Sequence, residues 1–394
     1  MVVKYGSGQV EYMDDIQHSL IELATVALNT PDVNDENIYV SDWNLLFKTA
    51  CEQGMFSRIF TVIENLPDEK KPEVTLLQEW KSLIQQIFYR RLLYTQNVSI
   101  VLESFQRAGI PVIILKGLAI ARLLRNPEYR VMSDLDILVP KDQLANARRV
   151  IEAMGYELGE AEDHSPLHLE YHKRGCVPIE LHRTLVHSGF LGTRQLDEWY
   201  EHIWKHRETI CSESLTFEVM ELEDELINQV IHFSSHTVYV GTQLKHLYDM
   251  ALIIKTGNSS LDWSYVERIL QITGFYEFGK LLLASCSVLF HINLPISLSE
   301  VKGMTAEQFI DEFLNDYSVD KTRDDWKGWL TITCRFPVIL KYPILYPLAW
   351  IIEYLAQLKI HKSELSFILR NSPRNIRIFH KKARLLRSFG LIGR

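Results

Sequence analysis

Cysteine is scarce and unpatterned in this 394-residue chain: Cys51, Cys176, Cys211, Cys286 and Cys334 are scattered, with no C-x-x-C pair. An odd, irregular set argues against a disulfide framework and against a cysteine zinc site, and points to a reducing compartment. The opening stretch MVVKYGSGQVEYMDD lacks the apolar segment of a secretory signal, so a cytoplasmic location is expected. A spanning helix needs about 20 consecutive apolar residues. The apolar stretch FPVILKYPILYPLAWII, residues 336–352, is interrupted by Lys341 and three prolines. It reads as a buried helix or a membrane-surface element, and no transmembrane span is expected. Internal repeats and low-complexity segments are missing as well.

What is present is ordinary for a globular protein: 47% apolar and 23% charged residues, in a length that suits two or three domains. The net charge of −8 conceals an asymmetry. From Ala356 onward ten Lys and Arg face a single acid, Glu364, so the tail carries +9 and the remainder −17. A basic tail on an acidic body suits RNA, an anionic membrane or an acidic partner; docking on the acidic body itself is the alternative.

Residues 12–108 follow a helical period. YMDDIQHSLIELATVALN and SDWNLLFKTACEQGMFSRIFTVIENL carry apolar residues three and four apart, with Ser41 and Asp42 as an N-cap signal. A long amphipathic run then ends at Gly109. There the period changes. IPVIILKG reads as a buried strand ended by Gly117, LAIARLLR as a helix and DLDILVP as a strand. KDQLANARRVIEAMG reads as a helix closed by Gly155, and LHLEYHKR with VPIELHR as a hairpin around Gly175. Helical patterns return from about Asp224. The expected class is α+β, a small mixed sheet flanked by helical regions. The expected divisions are residues 1–108 (helical), 109–220 (α/β core), 221–355 (helical, closing a cleft) and 356–394 (basic tail).

The stretch RVMSDLDILVP poses an electrostatic problem. Side chains alternate along a strand, so Asp134 and Asp136 share a face while Leu135, Ile137 and Val139 take the other. In VPIELHR, Glu180 and His182 likewise oppose Ile179 and Leu181. If the two strands are neighbours, three carboxylates converge, and they cannot all stay ionised without a cation. A hard divalent ion bound by carboxylates and substrate phosphates would compensate, so the site is expected to be strained without one. Gly117, at a strand-to-helix turn, suits an anion. Lys116 adds a point charge beside it, and Arg130 lies just before the aspartates.

Together, ILKGLAIARLL, RVMSDLDILV, GYEL and VPIELHRTL resemble the bacterial uncharacterised nucleotidyltransferases of the DNA polymerase β-like superfamily. The resemblance covers roughly residues 95 to 255. It implies transfer of a nucleoside monophosphate from an NTP, ATP among them, to an acceptor with release of pyrophosphate. It further implies Asp134 and Asp136 as ligands of Mg²⁺ (or Mn²⁺), Glu180 as third ligand or general base, and Gly117 as the triphosphate cradle. Ser133, Arg130 and Lys245 join Lys116 and Gly117 as expected nucleotide contacts. One departure stands out. Most of the superfamily follows this glycine with glycine or serine, whereas here Lys116 precedes it and Leu118 follows, so Lys116 would replace a serine contact. The acceptor stays open: peptide, sugar, RNA or protein.

Histidines recur at positions 164, 168, 172, 182, 187, 202, 206, 232 and 236. His182 shares a strand face with Glu180, which makes it the first histidine expected near the site. His232 and His236 share a helix face at zinc-compatible spacing, but HFSSH lacks the glutamate of H-E-x-x-H, and two ligands are half a tetrahedral site. Core packing or a substrate-facing position is expected for both. Lys245 and Asp249, four apart, are expected to form a helix ion pair, with Asp249 also a substrate-side candidate. Two rival functions remain: a non-catalytic nucleotide-binding module on the same scaffold, and a histidine-based metal-dependent hydrolase.

Overall fold

The computed structural model describes residues 15–29, 38–159, 168–186, 196–212, 215–239, 242–294 and 305–316. The apolar stretch 336–352, the basic tail, His164 and His187 lie outside these residues. The N-terminal helical period resolves into α1 (Asp15–Asn29), α2 (Trp43–Glu52) and α3 (Phe56–Ile63). Asp42 caps α2, its carboxylate accepting from the Asn44 and Leu45 amides at 2.9 and 3.0 Å. The stretch from Ser41 to Leu66 thus holds two helices, separated where Gly54 adopts a φ of +66°. The long run is α4 (Val74–Arg107), with Gly109 at φ +67° just past its end.

The described residues then build a seven-stranded mixed sheet in the order β3-β4-β5-β2-β1-β7-β6. Its strands are β1 (Ile113–Ile114), β2 (Leu135–Leu138), β3 (Glu157–Leu158), β4 (His168–His172), β5 (Ile179–His182), β6 (Glu208–Ser212) and β7 (Leu215–Val219). A short α5 (Gly117–Ala121) follows β1, and α6 (Leu144–Ala153) follows β2. Four strands, β1, β2, β4 and β5, match the segments read from sequence, with β1 cut to two residues, and the short edge strand β3 was not read. The β6–β7 hairpin is an addition. Strand β6 lies at the sheet's edge with no buried residue, so it offers no apolar stripe to read.

The central pairing is β2 beside β5, parallel, with Asp136 opposite Glu180 and Leu138 opposite His182. On β5's other side β4 runs antiparallel, setting His168 opposite His182. One sheet face, with Leu135, Ile137, Ile179 and Leu181, packs on Val98, Val101 and Phe105 of α4 and on Ala147 and Ile151 of α6. The opposite face carries the carboxylates and histidines.

A second core is helical. It joins α1–α3 to α8 (Leu222–Tyr239), α9 (Leu244–Gly257), α10 (Trp263–Thr273), α11 (Tyr276–Phe290) and α12 (Ala306–Asp316), with α7 (Leu196–His206) at its margin. Leu138, Ile113 and Leu115 reach into this core, so the helical body sits on the sheet beside the carboxylates. The α+β architecture with a small mixed sheet flanked by helices is thus the fold. Among the described residues, no helix is long and apolar enough to cross a membrane.

Candidate active site

Strand alternation and the β2–β5 register together bring three carboxylates to one place. Asp134 precedes β2 by one residue, Asp136 lies within it and Glu180 lies directly across on β5. One oxygen from each lies within 4.8 Å of the others. Asp136 is buried, while Asp134 and Glu180 are half-buried. Ser133 Oγ donates to Asp134 Oδ1 at 3.0 Å, and the Tyr94 hydroxyl from α4 donates to the Asp134 carbonyl at 3.1 Å.

The mutual repulsion expected from sequence is compensated by the chain itself. Lys116 Nζ lies 2.6 Å from Asp136 Oδ1 and 3.9 Å from Glu180 Oε2. His182 Nε2 lies 2.9 Å from the same Asp136 oxygen and 3.5 Å from Glu180. His168 Nδ1 is 3.7 Å from Glu180 Oε2. Burial opposes charge on Asp136, but Lys116 and His182 outweigh it and hold this carboxyl below the usual carboxylate range. Asp134 shifts the other way, raised by burial and then by the charge of Asp136. Burial likewise opposes the Lys116 charge, yet Asp136 and Glu180 keep its ammonium above the ordinary lysine value. The strain expected without a metal is therefore eased at Asp136, where a lysine and a histidine share one carboxylate oxygen, and persists at Asp134.

Lys116 reaches this position through an unusual backbone. Its φ of 51° with ψ of −111° falls where side-chain-bearing residues rarely sit. The residue with positive φ at this turn is Lys116 and not the glycine beside it. At Gly117, an added Cβ would make ordinary contacts with Tyr94 Oη at 3.4 Å and Met132 Sδ at 3.7 Å. The fold itself does not demand glycine there, so the missing side chain leaves open the space beside the cluster.

Two expectations are corrected at the helical boundary. Arg130 was expected at phosphates; instead it is buried and bidentate to Asp249, with Nη1–Oδ1 and Nη2–Oδ2 both at 2.9 Å. Arg58 Nη2 adds a third bond to Asp249 at 2.8 Å. The helix pair expected between Lys245 and Asp249 gives way to this triad, because a buried carboxylate beside two guanidinium groups is better satisfied by their forked donors. Lys245 instead runs over Gly54, and burial, then Arg58, lowers its ammonium's pKa. Asp134 is among the charges acting on Lys245, so the lysine borders the cluster.

His232 and His236 project from α8 and meet His246 of α9, with ring centroids 4.3, 4.8 and 5.9 Å apart. Sequence reading gave His168 no role and passed over Tyr94, Arg58 and His246. His168 was recoverable, since alternation in LHLEYH puts it on the same polar face as His182. The other three come from separate helices, and no spacing along the chain predicts their arrival.

The donor set fits a hard divalent cation: three carboxylates with converging oxygens, bordered by hydrogen-bond donors and lysines. A family model described as uncharacterised nucleotidyltransferase matches residues 40–291. No curated protein matches the chain. Among solved structures, the chain is similar to the antibiotic-resistance factor ANT(2'')-Ia at 13% identity, covering 45% of this chain and 91% of that one with a TM-score of 0.32. It is also similar to an antigenic nucleotidyltransferase-like protein from Paracoccidioides brasiliensis at 16% identity, covering 51% and 97% with a TM-score of 0.30.

Proposed function

The chain belongs to the uncharacterised nucleotidyltransferase family, and from that premise we propose that it transfers a nucleoside monophosphate from an NTP to an acceptor, releasing pyrophosphate, with Mg²⁺ as cofactor. The observation that carries this reading is the meeting of Asp134, Asp136 and Glu180 across the β2–β5 pair. Asp134 and Asp136 hold the cation, with Mn²⁺ as a substitute, and Glu180 is the third ligand or takes the acceptor's proton. When bound, Mg²⁺ neutralises phosphate oxygens and lowers the barrier to attack at phosphorus. Lys116 exchanges its contact with Asp136 for phosphate as the nucleotide enters, and the backbone beside Gly117 lies against the triphosphate. Ser133 orients Asp134, His182 orients Asp136, and Lys245 approaches the phosphates from the helical side. Arg130 and Asp249 fix the position of the loop before β2.

In this reading residues 109–220 are the transferring core, helices from 221 onward close the cleft, and the basic tail meets an acidic acceptor or an anionic surface. The setting is cytoplasmic. The acceptor is a peptide, a sugar, an RNA or a protein.

The test is transfer of radiolabel from each of the four NTPs to lysate and to purified candidates, with and without Mg²⁺. Asp136→Asn is expected to lower transfer by about 10³-fold, the equivalent of several kcal/mol of lost charge stabilisation, while the fold survives. Unchanged transfer by that variant would sink the proposal. A second reading is favoured by one observation: the Lys116 ammonium stands against Asp136 and Glu180, where a cation would otherwise bind. On that reading the protein binds nucleotide without turnover. Calorimetric NTP binding that ignores Mg²⁺, together with no label transfer, would establish it over the first.

A further inference from the structure

Among the described residues, three side-chain clusters besides the carboxylate trio bring metal-ligating groups together. His168, Glu180 and His182 belong to the site already described. His202, Glu221 and Asp224 are closed among themselves: Asp224 accepts from Trp199 Nε1 at 2.8 Å and Tyr265 Oη at 2.6 Å, and lies 3.1 Å from His202 Nδ1. The third cluster has a different composition.

We propose that His232, His236 and His246 form a binding site for a borderline-soft divalent transition metal, Zn²⁺ foremost, with three protein nitrogens and a fourth position left for water or substrate. One ring nitrogen from each histidine lies within 4.8 Å of the others. The i, i+4 pair on α8 supplies two of them from one helix face, and α9 supplies the third, which the sequence spacing could not reveal. Zn²⁺ at about 2.0–2.1 Å from each nitrogen would set them roughly 3.4 Å apart, a spacing the three rings can reach from where they stand.

The site has the supporting partner that metal-bound histidines commonly have. His246 Nδ1 lies 3.1 Å from the Gln243 carbonyl oxygen. Donation of Nδ1–H to that carbonyl leaves the Nε2 lone pair for the metal and fixes the ring's orientation. The same Nδ1 is also 3.1 Å from the Gln243 amide in the capping box of α9, so metal binding would select between two tautomers.

Ligand chemistry separates this site from the carboxylates. Imidazole suits zinc, copper, iron and nickel, whereas oxygen donors suit magnesium, so the two sites would load independently. They are nonetheless neighbours, since Lys116 and His182 of the sheet cluster are among the charges acting on His232. The inference does not rest on nucleotidyl transfer.

The test uses tag-free full-length protein, titrated with Co²⁺ in excess Mg²⁺ and followed by visible d–d absorption, with zinc content measured after dialysis. One equivalent per chain is expected. His232→Ala and His236→Ala should each weaken Co²⁺ binding by more than the roughly 10–100-fold that loss of an outer-shell partner brings. His246→Gln keeps a hydrogen-bonding side chain in the capping box, and should lose the absorption band while retaining the melting temperature of the metal-free wild type. Asp134→Asn with Asp136→Asn, and separately His202→Ala, should bind Co²⁺ unchanged. Absence of binding in the wild type overturns the proposal. So does binding that survives both alanine substitutions, or that vanishes with the two aspartates.

Discussion

Asp136 on the sheet and Asp249 on α9 are both buried, and each is bonded to two basic side chains. Their partners differ in kind. Asp249 holds Arg58 and Arg130, which keep their charge at any ordinary pH and present rigid forks that match a carboxylate. Asp136 holds Lys116, a point charge on a flexible stem, and His182, whose charge depends on its surroundings. The first arrangement is a clamp tying α3, the loop before β2 and α9 together. The second can exchange partners, which a site that admits a cation and phosphates needs. The same contrast explains the backbone: strain gathers at Lys116, while Asp249 and Arg58 lie inside regular helices.

The clamp is the easier half to break. Asp249→Ala would leave two buried guanidinium groups unpaired, and is expected to destabilise the fold by about 3–5 kcal/mol in urea unfolding. Burial alone would raise the Asp249 carboxyl's pKa, but Arg130 and Arg58 outweigh it and hold it low. Its contribution to stability is therefore complete above the unfolded aspartate value of about 3.9, and fades as pH falls through the lower folded value. If the alanine variant kept wild-type stability but lost nucleotide binding, Asp249 would belong with Asp136 and the contrast would fail.

A smaller effect sharpens the clamp's electrostatics. Glu225 of α8 is buried near Arg130 and accepts from Gln229 at 2.9 Å. Burial pushes its carboxyl up to about 7, from an ordinary value of 4.5. A group that holds its proton more tightly when folded contributes fully below its unfolded value, and that contribution is lost as pH rises to the folded one. Wild-type stability should thus fall between pH 4.5 and 7 by on the order of 3 kcal/mol from this residue, and level off above. Glu225→Gln should remove that fall, matching the wild type near pH 4.5 and exceeding it at pH 8. Parallel pH profiles for the two proteins would show instead that the clamp's arginines keep Glu225 ionised.

Both halves of the comparison bear on what a sequence can reveal. Period-two alternation in DLDILV and VPIELHR was enough to assign faces, and the β2–β5 register then brings Asp136 beside Glu180. Gly109, Gly155 and Gly175 mark turns because their φ values require it. What stayed hidden depends on elements distant in the chain. Arg58 reaches Asp249 across 191 positions, and no periodicity encodes that meeting. The partner of Arg130 was misjudged for the same reason, since an arginine beside two aspartates looks like a phosphate contact until a third carboxylate claims it. At Lys116 the local rule failed: glycine is the usual carrier of positive φ, yet the lysine beside Gly117 takes it.

That reversal yields the mildest and most selective prediction. Gly117 begins α5, where alanine has the better helix propensity, and its methyl group would meet only ordinary contacts with Tyr94 and Met132. Gly117→Ala should therefore keep or slightly raise thermal stability. If phosphates pass over this turn, the methyl group intrudes on them, and NTP affinity should fall by about tenfold, or 1.4 kcal/mol. Calorimetry with the full chain separates the two effects, because stability and affinity are expected to move in opposite directions. Unchanged affinity would mean that phosphates lie elsewhere, and that the open space at Gly117 has no part in the exchangeable cluster. Lower stability with unchanged affinity would make Gly117 a packing residue of the Asp249 kind, shifting the boundary between the two regions by one turn of helix.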